Sequence, residues 1–172
     1  MREDLHIRSN LMGMQRIMED GVNKGIFEDS RDQFHLTHYF TPISKEYGCA
    51  QYARELFMPA GMVCMGKLHK LPHLTFLTKG RMIIVSENGG RQELVAPTTF
   101  VSPAGSKRAF HVIEDSILTT VHITKHNTEA EVPLIEDEVI SPTYEAMGLE
   151  EPDITHLDNF LSDPSSTENE EE

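Results

Sequence analysis

The sequence GKLHKLPH, residues 66–73, carries the side chains of this 172-residue chain that are best suited to chemistry. On one continuous strand His69 and His73 would lie about 13 Å apart, too far to share a ligand. A helix would place them on one face, but Pro72 opposes a helix. If residues 70–72 instead form a tight turn, the two imidazoles become cross-strand neighbours. Because histidine nitrogens bind first-row metal ions, such a pair would form half of a metal site.

The region around these histidines has the pattern of an all-β domain. From about residue 34 to residue 124, short runs rich in β-branched and large apolar residues alternate with turn signals. The expected strands are 52–58, 62–69, 73–78, 81–86, 91–95, 98–102, 108–113 and 116–124. Asn88-Gly89-Gly90 predicts a hairpin turn. No interval between the runs has room for a long crossover helix, so the sheet should be mainly antiparallel.

Two flanking segments complete the predicted organisation. In residues 1–33 apolar side chains recur at three- and four-residue steps, which predicts an amphipathic helix that packs on the barrel or on a second copy. These side chains are Ile7, Leu11, Met14 and Met18. Residues 125–172 form an acidic extension whose final TENEEE run should be disordered, since it has no apolar area to bury. Within it, residues 153–161 have the pattern of a short helix that docks on its own barrel, on a neighbouring subunit or on an external partner.

Composition and charge exclude several classes of protein. The net charge of −13, without a basic stripe, argues against binding to nucleic acid or to an anionic membrane surface. The first residues do not resemble a signal peptide, so we expect the protein to stay in the compartment where it is made. Cys49 and Cys64 lack CxxC spacing, which is typical of small apolar core residues in a reducing cytoplasm. We assign no catalytic residue, because the chain lacks GxSxG, GxGxxG and phosphate-loop motifs.

The histidine segment resembles the first motif of the cupin superfamily, which has a glycine, a histidine, a short turn, a ligand-type residue and a glycine seven residues later. The matching residues are Gly66, His69, His73 and Gly80. Pro103-Ala104-Gly105 matches the Pro-x-Gly turn of the second cupin motif. The resemblance covers roughly residues 50–124. It implies an all-β fold with a single cupin-like antiparallel β-barrel (jelly roll), preceded by the N-terminal helical segment and followed by the acidic C-terminal extension.

The chain departs from the cupin pattern at several ligand positions. Cupin metal sites usually use a His-x-His pair, a glutamate, and a histidine after the Pro-x-Gly turn. Here Lys67 stands in place of the first histidine, His69 in place of the second, and His73 in place of the glutamate. Arg108 occupies the position of the last histidine, and a guanidinium cannot bind a metal ion. His111, three residues further on, has the opposite strand parity and should face away from Arg108.

A narrower resemblance is to cupin-like proteins of tailed bacteriophages, most of which are uncharacterised. It lies in the stretches YARELF (52–57), KLHKLPH (67–73), FVSPAGSKR (100–108) and EDSILTTVH (114–122). In that group an arginine at position 108 and a histidine at position 122 are usual. By strand parity His122 would point into the barrel with His69 and His73, and three histidines would hold a divalent metal such as Zn, Fe or Mn. The alternative is a barrel without metal, in which these histidines hydrogen-bond to Glu, Thr or water.

Arg108 is the candidate ligand-binding residue, and two interpretations of it remain open. If the side chain points inward, it would hold a small anion such as a carboxylate or phosphate through bidentate hydrogen bonds. If it points outward, it would form a surface ion pair with Glu114 or Asp115.

Two functions follow from these observations. The first is a phage-encoded binding or assembly protein without turnover, which forms a homo-oligomer, contacts other phage proteins, and resides in the host cytoplasm or the virion. The second is a metal-dependent enzyme, a dioxygenase, isomerase or epimerase, that acts on a small anionic ligand. In it His69, His73 and His122 would hold the metal and Arg108 the ligand. The incomplete metal motif and the lack of a nucleophile motif favour the first function.

Overall fold

A computed structural model describes residues 3–155 of the chain. Within them the helices are α1, Glu3–Asn23, and α2, Val132–Val139. The strands are β1 His35–Phe40, β2 Ala50–Met58, β3 Val63–Met65, β4 Leu68–His69, β5 His73–Ser86, β6 Gly90–Val95, β7 Thr98–Ser102, β8 Arg108–Thr124 and β9 Ile140–Ser141. Neither described helix is long and apolar enough to cross a membrane.

Two long antiparallel strands, β5 and β8, organise the barrel and pair with each other along most of their length. The first half of β5 also pairs with β7, and its second half pairs with β6. In the same way β8 pairs with β3 near its start and with β2 through its second half, and β1 continues beside β2. The described pairings are all antiparallel. The protein is therefore an all-β jelly-roll barrel with an N-terminal helix, as the sequence predicts.

Two expected strand ends prove to be bends inside longer strands. The sequence predicts a turn at Lys79-Gly80, but β5 continues through it, and β8 likewise continues through residues 114 and 115. The β5–β8 register shifts between Leu77 and Met82. At this bulge Gly80 has a φ of +86°, and a Cβ there would collide with the Asp115 carbonyl oxygen. Gly80 thus allows the two strands to approach closely while they bend, which is the usual role of a glycine at a bulge.

The sequence pattern did not reveal α2 or β9, both of which lie in the acidic extension. Three acidic residues in α2 interrupt its apolar pattern in the sequence. In the structure its Ile135 and Val139 are buried against Tyr52 of β2. β9 pairs with β4. The extension therefore packs on the barrel up to at least β9. The predicted terminal disorder, and the part of the predicted tail helix after Thr155, lie outside the described residues.

The main core lies between the two faces of the barrel. Its buried members are Met58, Leu77, Met82, Ile84, Val112 and Leu118. Cys64 packs against this cluster, and both Cys64 and Cys49 are free thiols. This agrees with the expectation that they do not form a disulfide framework.

A buried ion pair ties both ends of the described chain to the barrel. Arg8 of α1 donates through Nε and Nη2 to Glu87 Oε2, at 3.3 and 3.1 Å, and the two side chains are only 8% and 3% exposed. The Tyr144 hydroxyl donates to the other oxygen of Glu87. The Arg8 guanidinium also lies 4.3 Å from the centre of the Tyr144 ring. Glu87, which directly follows β5, thus joins α1 and the segment after α2 to the barrel.

Candidate metal centre

His69 and His73 meet as the sequence suggests, but through different pairings. The turn between them brings their ring centroids to 4.2 Å. The predicted cross-strand pairing is wrong, because β4 pairs with β9 and places His69 opposite Ile140, whereas His73 begins β5 opposite Ser102. Two backbone hydrogen bonds fix this turn: Lys70 N donates to Val139 O at 2.7 Å, and Gly105 N donates to His69 O at 2.9 Å.

His122 completes the cluster from the neighbouring strand β8. Its side chain is buried on the inner face, with its ring centroid 4.6 Å from that of His73 and 5.3 Å from that of His69. One ligand atom from each of the three imidazoles lies within 4.8 Å of the others. Within residues 3–155, no other group of three or more His, Cys, Asp or Glu side chains converges in this way.

The donor set fits a first-row divalent ion. Imidazole is a preferred ligand for Zn and Fe, and three protein ligands leave a coordination position open. Because Zn–N bonds are about 2.0–2.1 Å, nitrogens in a tetrahedral site lie about 3.4 Å apart. Ligand atoms within 4.8 Å of one another therefore need to close by about 1.4 Å at most, which small side-chain rotations can supply.

Burial keeps these imidazoles neutral, the form that binds a metal. It lowers the pKa of His69 to about 3, an effect to which the nearby His73 and His122 add. Burial, with His73 beside it, also lowers the pKa of His122 to about 4. Burial lowers the pKa of His73 as well, although a hydrogen bond from His73 Nδ1 to the Leu71 carbonyl, at 3.3 Å, opposes that shift. This bond assigns the proton to Nδ1 and leaves Nε2 of His73 as the free donor atom.

Arg108 points inward, so its interpretation as a surface ion-pair partner is wrong. Its side chain is buried, and its guanidinium lies 5.4 Å from the centre of the Phe100 ring. The expected acidic partners are used elsewhere: Glu114 accepts a hydrogen bond from Arg81 at 3.1 Å, and Asp115 accepts one from Ala60 N at 3.0 Å. The Arg108 charge lowers the pKa values of both His69 and His73, less strongly than burial does.

A small cavity of about 40 Å³ connects Arg108 with the histidines. His69, His73, Arg108 and Ser106 all contribute to its wall. Sequence reasoning did not single out Ser106, which directly follows the Pro-Ala-Gly turn. The position after that turn was the available signal, because the turn leads the chain back toward the barrel interior.

Tyr52 is a second residue near the site that the sequence pattern did not indicate. It lies opposite His122 in the β2–β8 register, with ring centroids 6.3 Å apart. Its hydroxyl makes a 2.7 Å hydrogen bond with Nδ1 of His38 on β1. Tyr52 thus stacks on His122 and is itself held by His38, and neither Tyr52 nor His38 lines the cavity. The pairing of Tyr52 with His122 could have been found only by knowing the strand register.

Two residues in or near the cupin-like motif, Lys67 and His111, do not belong to the histidine cluster. Lys67, at the position of the first motif histidine, forms a 2.7 Å ion pair with Glu136 of α2. His111 is exposed on β8 and faces away from the buried Arg108, as predicted.

No protein-family model matches the sequence, and no curated protein matches it. Among solved structures, KdgF from Halomonas sp. is 14% identical with a TM-score of 0.44, covering 60% of this chain and 88% of that chain. Ectoine synthase from P. lautus is 14% identical with a TM-score of 0.43, covering 59% and 72%. A cupin superfamily protein from Desulfitobacterium hafniense is 11% identical with a TM-score of 0.40, covering 52% and 77%.

These likenesses concern the fold and do not extend to what those proteins bind or do. Their TM-scores all lie below 0.5, so the description of the barrel rests on its own strand pairings. The comparisons contain no evidence of a relationship to bacteriophage proteins.

Proposed function

We propose that this chain binds one divalent metal ion through His69, His73 and His122. The observation that carries the proposal is the convergence of three imidazoles, two of them buried and that of His69 half-buried, whose ligand atoms lie within 4.8 Å of one another. The low histidine pKa values support it, because neutral imidazoles need not lose a proton before they bind. The donor set suits Zn, Fe or Mn, the ions expected from the sequence.

The cavity beside the histidines favours a second role for the same centre, an enzyme that acts on a small anion. Three protein ligands leave a position for water or substrate, as catalytic metal sites do. Arg108 shares the cavity with His69 and His73 and supplies a positive charge next to that position. A dioxygenase, isomerase or epimerase reaction is the proposed chemistry, in which the metal, when bound, would act as a Lewis acid toward the anion.

The alternative of a binding or assembly protein without turnover includes a homo-oligomer. A row of uncharged side chains supports this alternative. The row crosses the outer face of five neighbouring strands, at positions that are paired in register. The row comprises Val101, Leu74, Val121, Ala53 and Tyr39. Val101, Leu74 and Tyr39 are 64%, 45% and 51% exposed. We propose that a second copy of the chain covers this row, because two identical apolar rows can meet about a two-fold axis. A basic partner is disfavoured, because the row contains no acidic side chain that could pair with it.

Solution mass tests the oligomer directly. We expect light scattering to give a dimer for the native chain and a monomer for Val101→Lys, since a buried unpaired lysine opposes association. A monomeric native chain would contradict the proposal. Phage origin, contacts with other phage proteins and a virion location remain hypotheses that rest on the sequence resemblance alone.

Metal binding is tested on untagged full-length protein. After treatment with EDTA, we expect titration with Zn²⁺, Fe²⁺ or Mn²⁺ under anaerobic conditions to give one ion per chain by calorimetry and elemental analysis. A metal concentration of 100 times the dissociation constant should stabilise the fold by about 2.7 kcal/mol.

Matched variants connect this binding to the cluster. His122→Ala should lose stoichiometric binding, whereas His111→Ala should keep it, because His111 lies exposed on the same strand. Circular dichroism checks that both variants are folded. Native protein that takes up none of the three ions, or a folded His122→Ala that binds like the native chain, would rule the centre out.

A further inference from the structure

Arg108 is a buried cation that the described part of the protein leaves without a counter-ion. Its residue exposure is 8%, and its Nε has no hydrogen-bond partner. Among the ion pairs of residues 3–155, none includes Arg108. The ring of Phe100 offers only a weak interaction at 5.4 Å. Burying a charge without a partner is costly, so its persistence indicates that a negative group belongs beside it.

Ser106 is a second residue at this cavity with a buried polar atom that has no hydrogen-bond partner. Its Oγ is buried and has no hydrogen-bond partner, and the residue is 2% exposed. Within the described residues, Ser106 Oγ and Arg108 Nε are the only buried side-chain polar atoms without a partner. Both residues contribute to the wall of the 40 Å³ cavity beside His69 and His73. Unpaired buried polar groups are rare in folded proteins, and two of them at one cavity indicate a missing polar ligand.

The charge around the cavity selects an anion. No Asp or Glu contributes to its wall, although the chain as a whole carries a net charge of −13. Arg54, on the inner face of β2 opposite Thr120, adds a second positive charge that acts on His69 and His122. The histidines themselves are neutral. A ligand in this cavity therefore meets the Arg108 guanidinium and the side chain of Lys67, whose ammonium is paired with Glu136, while Arg54 lies outside the wall.

The size of the cavity selects the kind of anionic group. About 40 Å³ has room for roughly three water-sized atoms, because one such atom needs about 10–15 Å³. A carboxylate has three non-hydrogen atoms in one plane and accepts hydrogen bonds from a guanidinium in its own plane. A phosphate has five non-hydrogen atoms in a tetrahedron and matches this room and the planar guanidinium less well, whereas an organic acid can place its planar carboxylate here with the rest of the molecule outside the cavity.

We infer that the cavity binds the carboxylate of a small organic acid between the histidine centre and the Ser106–Arg108 pair. The inference rests on the proposed metal function and adds to it the chemical class of the ligand. Arg108 supplies the counter-charge, and Ser106 donates its hydroxyl proton to a carboxylate oxygen. A metal ion held by the three histidines would lie next to the same group, because His69 and His73 also line the cavity.

Acetate is the probe for binding, with inorganic phosphate as the comparison at equal ionic strength. With Zn-loaded full-length protein, we expect acetate to raise the melting temperature with a saturable dose dependence, and phosphate to give no saturable rise. Arg108→Met should reduce the acetate affinity at least tenfold, and Ser106→Ala should reduce it several-fold. Arg81→Gln is the matched control, since Arg81 lies exposed and paired with Glu93 and Glu114, and it should bind acetate as the native chain does.

A second measurement separates ligand binding from a merely structural role of Arg108. In the absence of acetate, Arg108→Met should unfold at a higher urea concentration than the native chain, because it removes an unpaired buried charge. A structural arginine would give the opposite shift. A lower urea midpoint for Arg108→Met, or unchanged acetate affinity in this variant, would overturn the inference.

The two proposals fail in different ways. Native protein that binds zinc but gives no saturable response to acetate overturns the carboxylate inference and leaves the metal centre standing. Native protein that binds no metal, yet binds acetate in an Arg108-dependent manner, overturns the metal proposal and supports the carboxylate cavity alone. A saturable response to phosphate equal to that of acetate overturns the assignment of the carboxylate class.

Discussion

The imidazole rings of His69 and His122 lie face to face, with planes 7° apart and centroids separated by 5.3 Å. They come from distant parts of the chain, one from the two-residue strand β4 and the other from near the end of β8. Because His122 is buried and His69 is half-buried, a proton on either ring would be poorly solvated and would lie beside the other ring. This geometry makes the metal-free centre sensitive to acid.

The stability of the EDTA-treated protein should fall as the pH falls below about 6.5. Burial lowers the folded-state pKa values of His69 to about 3 and of His122 to about 4, whereas both groups titrate near 6.5 when unfolded. Between these values the unfolded state binds more protons, so acid favours unfolding, and above about pH 7.5 this contribution is constant. For each of these histidines, the free energy of unfolding should fall by about 1.4 kcal/mol between pH 7.5 and pH 5.5, as measured by urea unfolding.

Two variants assign that slope to the cluster. His122→Gln should reduce the loss of stability between pH 7.5 and pH 5.5 by about one histidine's share, because it removes one titrating group. His111→Gln should leave it unchanged, since His111 is exposed. An identical slope in the native chain and in His122→Gln would contradict the assignment.

Replacing Glu87 should destabilise the fold strongly. Glu87→Ala removes the acceptor of Arg8 and of the Tyr144 hydroxyl, and leaves the Arg8 charge buried without it. Loss of one partner of a buried pair typically costs about 3–5 kcal/mol. Glu93→Ala is the control, because Glu93 pairs with Arg81 at the surface and should cost less than about 1 kcal/mol. Equal urea midpoints for the two variants would mean that the Glu87 contacts contribute little.

Helix α2 should behave as part of the barrel core. Ile135 is fully buried against Tyr52, so Ile135→Ala should cost about 2–5 kcal/mol in the free energy of unfolding. The neighbouring Leu134 is 49% exposed, and Leu134→Ala should change that free energy by about 0.5 kcal/mol or less. Should Ile135→Ala prove as harmless as Leu134→Ala, α2 would not be packed as described.

The thiol of Cys64 should react slowly with alkylating reagents at neutral pH. Burial raises its pKa to about 11, so the reactive thiolate is scarce at pH 7.5. In a Cys49→Ser background, we expect iodoacetamide to modify Cys64 rapidly in urea and at least tenfold more slowly in the native protein. The rate, followed by mass spectrometry, should rise as the pH approaches 11. Equally fast labelling in both states would show that this side chain is accessible.

The sequence predicted the class of fold because the alternating apolar runs and turn residues are local signals. It failed at Lys79-Gly80, where a glycine with positive φ marks a bulge in β5 rather than a turn, and both uses have the same local signal. It missed α2 because acidic side chains on the exposed side hid the buried Ile135 and Val139. Only tertiary structure decides between such alternatives.

The candidate site was predictable in part for the same reason. The turn between His69 and His73 and the parity of His122 are local features, and they were enough to bring three histidines together. The direction of the Arg108 side chain could not be predicted, because the sequence alone allows an ion pair between Arg108 and Glu114. Only the β5–β8 pairing shows that Arg81 is the partner of Glu114. Ser106 was missed because burial without a hydrogen-bond partner has no sequence signature.

The pairing of β4 with β9 has a consequence for the order in which the site matures during synthesis. His69 is held opposite Ile140, so its strand partner leaves the ribosome after all three histidines have been translated. A nascent chain that stops before residue 140 contains all three candidate ligands, yet it lacks the strand that pairs with the strand of His69. The proposed metal centre would therefore reach its described geometry only after residues 140 and 141 have emerged from the ribosome.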